Sequence, residues 1–400
     1  MIGALLLALV AQSAPSGYAS AFVDGFPNRD ATELRARVFA EEKVAAGPRI
    51  RLTASGFVEG LLADRSGQVT DAVVEPQDLT FTFRGGRAEL TAGLGRVAWG
   101  RLDELQPTDV VNPLDLSRFF FEGRSEARLA VPLVRGTLFA SDKASIEGVY
   151  VPFFRRGRFD RLDEPTSPFS VAPAATIVDR SPARTGGNAQ GGARVNLTTG
   201  RVDWSVSAYD GFRPFGLYAL TPDGIVERTY ARFTMLGADF ETARGPWGAR
   251  GEVAVFPRDV FQTQGSPAIF HGSSFDAGGG VDRKAGDYRL SGEVLVHHEA
   301  HDGGSRTDAS VIASADREFA RQKYETRVFA VYNPSDSSGF LRGIAVATLR
   351  DNVKLEGSIG WFAGSGDDTI GRERATRPEE AREAATEGAC RGVRGAKPLG

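Results

Sequence analysis

From residue 16 onward hydrophobic and polar positions alternate at period two, the mark of strands with two unlike faces rather than of an amphipathic helix. Over 201–210, Val202, Trp204, Val206 and Ala208 share one face, and Arg201, Asp203, Ser205, Ser207 and Tyr209 the other. Over 286–298, Tyr288, Leu290, Gly292, Val294 and Val296 oppose Asp287, Arg289, Ser291, Glu293, Leu295 and His297. Over 352–363, Val353, Leu355, Gly357, Ile359 and Trp361 oppose Lys354, Glu356, Ser358 and Gly360. One face is apolar and the other carries full charges.

The pattern predicts strands over 16–26, 31–44, 49–63, 76–85, 88–98, 125–140, 143–154, 188–199, 201–210, 228–243, 247–257, 274–284, 286–298, 308–319, 322–333, 338–350 and 352–363. Short polar turns join many of them, at 84–87, 199–200, 244–246, 284–287 and 349–352. Longer connections rich in Pro, Gly and Asp are expected at 155–192, 211–227 and 258–274. Tight turns at one end and long loops at the other characterise membrane barrels.

Strand length points the same way. An ordinary globular strand has about 5–6 residues, whereas a tilted membrane-spanning strand needs about 9–11. Most of the predicted strands reach the longer figure. A soluble sandwich or propeller would alternate too, but with shorter strands. The reading is therefore all-β: a transmembrane antiparallel up-and-down β-barrel of about 16–18 strands. Lipid is the larger apolar phase, so Val202, Trp204, Val294 and Ile359 are expected to face outward. Arg201, Asp203, Arg289, Glu293, Lys354 and Glu356 are expected to line a polar lumen. Tyr18, Phe22, Trp99, Tyr150, Phe153, Phe154, Tyr230, Trp247, Tyr288, Tyr332, Trp361 and Phe362 are candidates for the interfacial aromatic girdles.

The N-terminus fits such a protein. The run Met1–Ala11 is too short to span a bilayer as a helix, and small residues follow it. It reads as a signal peptide over 1–13, ahead of a barrel over 14–368 in a Gram-negative type of cell outer membrane. A net charge of −3 gives no basic footprint, so nucleic acid is excluded as a partner. The expected partners are outer-membrane lipid and either a small polar solute or a polysaccharide.

The C-terminal stretch breaks the pattern. Residues 371–400 contain no aromatic side chain and the single Cys, and they are rich in Arg, Glu, Ala and Gly. Seventeen strands is an odd number, whereas single-chain bacterial barrels have an even one. The last strand is therefore expected to be missing, replaced by a disordered or aberrant tail over 369–400 through a frameshift or truncation in the coding sequence. A solvated tail that meets a partner is the alternative.

The most distinctive stretch is 95–118, with GRVAWGR followed by PTDVVNPLD. With SGYASAF, ELRARVFAEEKV and RIRLTASGF ahead of it, it resembles a group of bacterial outer-membrane barrels described by a domain of unknown function. Their layout is similar to that of alginate-export-type porins. The resemblance runs through Asp368 and implies a barrel with a polar lumen and a closing strand after a Gly- and Asp-rich last loop. The sequence departs from the group at that last strand.

In the same stretch Pro107 and Pro113 fix φ, and Asp109, Asn112 and Asp115 are suited to capping turns. Two readings stand side by side. The loop folds inward as a constriction, with Arg96, Arg101, Asp103, Asp109, Asn112, Asp115 and Arg118 setting the local charge, or it is a structural loop held by its own turns. The cluster Arg155, Arg156, Arg158 and Arg161 could draw anions to the mouth, or be simply solvated.

Catalytic and metal motifs are not evident. His297 and His298 point to opposite faces of a strand and do not chelate together. The glycines near Gly95 lack dinucleotide-binding spacing, and there is no Gly-x-Ser-x-Gly. No cofactor and no enzymatic activity are expected. The sequence reads as a porin-like channel for small polar solutes or polysaccharide. A transporter of hydrophobic compounds or lipids is the alternative, and an outer-membrane enzyme is less favoured.

Overall fold

The structure, a computed structural model, describes residues 16–26, 31–64, 68–116, 127–158, 177–262, 268–350 and 353–364. The expected signal peptide, the tail over 369–400, Arg118 and Arg161 lie outside these residues.

The strands are β1 (Ser16–Phe26), β2 (Ala31–Ala46), β3 (Ile50–Asp64), β4 (Gln68–Gly85), β5 (Ala88–Gly95), β6 (Val131–Ser141) and β7 (Ala144–Val151). Then come β8 (Ile177–Arg180), β9 (Gln190–Thr199), β10 (Val202–Phe212), β11 (Leu217–Leu220), β12 (Val226–Thr229) and β13 (Arg232–Arg244). The rest are β14 (Trp247–Gln262), β15 (Ile269–Ala285), β16 (Tyr288–His301), β17 (Gly304–Phe319), β18 (Tyr324–Asn333), β19 (Ser338–Arg350) and β20 (Val353–Ala363).

Seventeen of them form one sheet in which each strand pairs antiparallel with the next, giving an up-and-down barrel layout. The other three, β8, β11 and β12, make a small separate sheet from the long connections. Each predicted strand has its counterpart. Among the described residues no pairing joins β1 to β20, so the sheet keeps two edges. No described helix is long and apolar enough to cross a membrane; strands cross by other means.

Tight turns gather at one end of the barrel. Gly200 and Gly286 open two of them with φ of 64° and 62°, a left-handed conformation that favours glycine. The connections after β5, β7 and β10 are the long ones, all at the opposite end. The expected long loop over 258–274 is mostly strand, because β14 and β15 extend to Gln262 and from Ile269.

The outer face is apolar. Ile359 is 79% exposed and Trp361 70%, with Val206, Leu236, Val294, Val311, Val328 and Leu341 exposed beside them. The inner face is polar and covered: Arg37, Glu59, Glu75, Arg194, Ser205, Asp239, Glu252 and Glu293 are buried. That inversion relative to a soluble protein is what an apolar surrounding phase requires. Two members of the aromatic girdle set depart from it. Trp99 and Tyr230 are buried, Trp99 because its segment turns inward after β5 and Tyr230 because it packs against Phe154 and bonds Asp179 of the long connections.

Candidate functional site

The strand pattern over 88–98 stops early, at Gly95, and 127–130 is not strand. Between them the chain leaves the wall and folds into the lumen. Val97 and Trp99 continue the apolar alternation, but their side chains bury within the barrel rather than in the sheet.

The two legs of this loop are stitched by two side chains. Asn112 accepts a hydrogen bond from Val97 N at 2.7 Å and donates to Gly95 O at 3.3 Å and Leu129 O at 2.7 Å. Asp109 accepts from Trp99 N at 3.4 Å and from Arg128 Nε at 2.7 Å. Arg128 also donates to Gln106 Oε1 at 2.6 Å. Both Asn112 and Asp109 are buried, and each satisfies backbone groups that the interrupted sheet leaves open.

Carboxylates on the far wall then hold the loop. Glu252 of β14 accepts from the backbone N–H of Arg101, of Leu102 at 2.6 Å and of Thr108 at 3.2 Å, and from Thr108 Oγ1 at 2.9 Å. Glu293 of β16 accepts from Asp103 N at 3.1 Å and Leu105 N at 3.3 Å. Arg101 pairs with Asp239 of β13, which also takes bonds from Arg194 at 2.9 Å and Ser205 at 2.6 Å. Asp103 pairs with Arg250 of β14, and Trp99 Nε1 donates to Glu147 of β7 at 2.7 Å. Hydrogen bonds to charged partners contribute about 1.5–3 kcal/mol each, so this set fixes the loop firmly.

An apolar cluster completes the seat. Trp99, Val97 and Val111 of the loop pack with Leu133, Val149, Tyr209, Phe233, Met235 and Phe256 of the wall, with Trp99 edge-on to Tyr209 at 6.0 Å. The lumen is thus not uniformly polar on this side.

Residues proposed from sequence fall into two groups. Arg101, Asp103, Asp109, Asn112 and Glu293 meet at the loop and its seat. Arg96 pairs with Asp78 at 2.8 Å and Asp115 with Arg158, in the same part of the lumen. The others lie elsewhere. Arg201 is in the β9–β10 turn rather than the lumen, Asp203 accepts from Thr198 Oγ1 at 2.5 Å, and Arg289 stands 3.8 Å from Asp282. Lys354 and Glu356 are exposed on β20, where Glu356 lies 3.6 Å from Arg342. Sequence reading missed Glu252 and Asp239, whose only signal was an acid on the inward face of a long strand. His297 bonds Asp276 at 2.7 Å and stands 3.6 Å from Glu299, which His301 approaches to 3.9 Å, whereas His298 bonds Thr307 at 2.7 Å.

Among the described residues, open space flanks the loop on two sides. One space, of about 960 Å³, reaches the short-turn end between the loop and β15–β18, with charged walls. The other, of about 420 Å³, lies toward the long connections and is mainly apolar. Gln106 lines both.

At the long-connection end Asp179 of β8 ties the loops together. It pairs with Arg156 at 2.9 Å and with Arg228, and accepts from Tyr230 at 3.0 Å and Ser181 at 2.6 Å. Burial opposes its charge, but the bonds from Ser181, Arg228 and Tyr230 outweigh it and hold the carboxyl well below the usual range. Burial also opposes charge on Arg158, and the Asp115 carboxylate outweighs it, so the guanidinium pKa is raised.

No protein-family model matches the chain, and no curated protein does. Among solved structures it is similar to OccK5 of Pseudomonas aeruginosa, with 9% identity, a TM-score of 0.49, and coverage of 88% of this chain and 91% of that one. It is likewise similar to OmpF of Salmonella typhi in complex with daunomycin, with 9% identity, a TM-score of 0.47 and coverage of 87% and 96%. An anion-selective porin from Comamonas acidovorans matches with 11% identity, a TM-score of 0.42 and coverage of 82% and 90%. Likeness this distant says nothing of substrate.

Proposed function

We propose that this chain forms a channel in a Gram-negative type of outer membrane, through which small polar solutes cross a lumen narrowed by the inward segment over 96–116. One observation carries the reading: the loop is anchored to the opposite wall by Glu252 and Glu293 and leaves a space on either side of it, both bordered by Gln106. A soluble protein would gain nothing by turning charged side chains inward and Val, Leu and Ile outward. A channel in lipid needs both.

The larger space is bounded by paired charges, among them Arg250 with Asp282 at 2.6 Å. Such walls replace part of a small ion's hydration shell and offer little to an apolar body, which supports polar solutes over hydrophobic ones.

Single-channel conductance of the refolded full-length protein in planar bilayers tests the reading. Discrete, voltage-stable steps are expected. A barrel that inserts and conducts nothing would overturn it.

A further inference from the structure

The smaller cavity is mainly apolar, unlike the larger, charged one. Its volume, about 420 Å³, falls within the range of small-molecule sites, roughly 300–1,000 Å³. Leu105 and Val110 of the inward loop, Phe215 and Leu217 of the β10–β13 connection, and Leu295 of β16 line it, all partly open. Leu295 shares its face with Glu293 and His297, so it is an apolar position on a polar side of the strand. Phe233 and Phe256 border the same space, and the Arg213 guanidinium lies over both rings, 4.7 and 4.2 Å from their centroids.

Two charged groups on its wall keep spare hydrogen-bonding capacity. Arg213 commits Nε and Nη2 to Asp259; among the described residues its Nη1 has no partner. Asp276 commits Oδ1 to His297 at 2.7 Å; among the described residues its Oδ2 has none. Asp109, the other acid on the wall, is already bonded to Trp99 N and Arg128. An apolar hollow with one cationic donor and one anionic acceptor still open has a matching ligand. A solute with a carboxylate alone would add negative charge beside Asp276 and Asp259, and one with an amine alone would add positive charge beside Arg213. A head group carrying both adds no net charge and meets both spare atoms.

We propose that this cavity binds zwitterionic solutes with a large apolar side group, the chemistry of an apolar α-amino acid. The carboxylate meets Arg213, the ammonium group meets Asp276, and the apolar body lies among Leu105, Phe215 and Leu295. As a station on a transport path the site rests on the channel reading; as a binding site it does not.

Calorimetric titration of the detergent-solubilised full-length protein is the test. L-Phenylalanine is compared with glycine, which lacks the apolar body, with 3-phenylpropionate, which lacks the ammonium group, and with phenethylamine, which lacks the carboxylate. Saturable binding of phenylalanine is expected, with each comparator at least about tenfold weaker, roughly 1.4 kcal/mol. Leu295→Asn should weaken phenylalanine by a similar factor, and Asp276→Asn should bring phenylalanine and 3-phenylpropionate together, with folding of each variant checked by its β-sheet circular dichroism. No saturable phenylalanine binding, glycine or either single-charge analogue binding as tightly, or folded variants that bind like the parent would overturn the site. Conductance measured on the same preparation separates the two claims. Binding without conduction sinks the channel alone, and conduction without binding sinks the site alone.

Discussion

Leu102 occupies the space that a side chain on Gly278 would fill. A Cβ built at Gly278 of β15 would stand 2.7 Å from Leu102 Cδ1 and 2.9 Å from Leu295 Cδ1. Leu102 is itself only 1% exposed, with the neighbouring Gly280 also beneath it. The glycine run on β15 is thus a socket for the tip of the inward loop, and its lack of side chains is what lets the loop reach the wall.

Gly278→Ala should therefore push the loop off its seat. Overpacking of this kind costs about 1–3 kcal/mol, enough to displace the loop tip while its charged bonds still hold the rest. The expected readout is a larger and noisier single-channel conductance. Gly292→Ala is the matched control, since a Cβ there meets nothing within 4 Å, and it should leave the conductance unchanged.

Glu252 makes a second, polar test of the same anchor. Its carboxylate accepts from three backbone N–H groups and one hydroxyl. Glu252→Gln replaces one acceptor oxygen by a donor that faces other donors, a mismatch of about 1–3 kcal/mol. Protease access to the 96–116 segment should rise in the folded barrel. Unaltered protection would show that Glu252 is not the anchor.

The wall was legible in the sequence and the seat was not. Period two placed every strand of the large sheet, because lipid outside and polar groups inside impose one rule on each of them. The same rule misplaced Trp99: Val97 and Trp99 keep the alternation of β5, yet they bury against Tyr209 and Val149 inside the barrel. Local pattern records that a residue is apolar and leaves open which apolar phase it meets. Glu252 and Asp239 escaped notice for a related reason. Each pairs with the loop across about 140–150 positions of sequence, a separation that no local spacing reports.

Gln106 stands between the two spaces, accepting from Arg128 at 2.6 Å and donating to Leu102 O. Gln106→Ala removes the side chain that both share and frees one Arg128 nitrogen. Conductance should increase, and preference should shift toward anions because Arg128, still held to Asp109 through Nε, then turns an uncapped Nη2 toward the narrowing. An unchanged reversal potential under a salt gradient would count against a pathway past this residue.

Asp179 sets a pH limit on the long-connection end. Its folded-state carboxyl titrates below the ordinary Asp value of about 3.9, so the stabilisation it supplies is essentially complete above that value and is lost progressively as pH falls from there through the lower folded one. The β8–β11–β12 sheet should therefore resist proteolysis as well at about pH 4 as at neutrality, when a protease active at each pH is used. Protection should fade only in stronger acid. Asp179→Asn removes the charge that Arg156 and Arg228 share, at a cost of about 2 kcal/mol, and should be cleaved in these connections across the whole range. Fading of the parent's protection already near pH 5 would show that another group, titrating higher, governs the sheet.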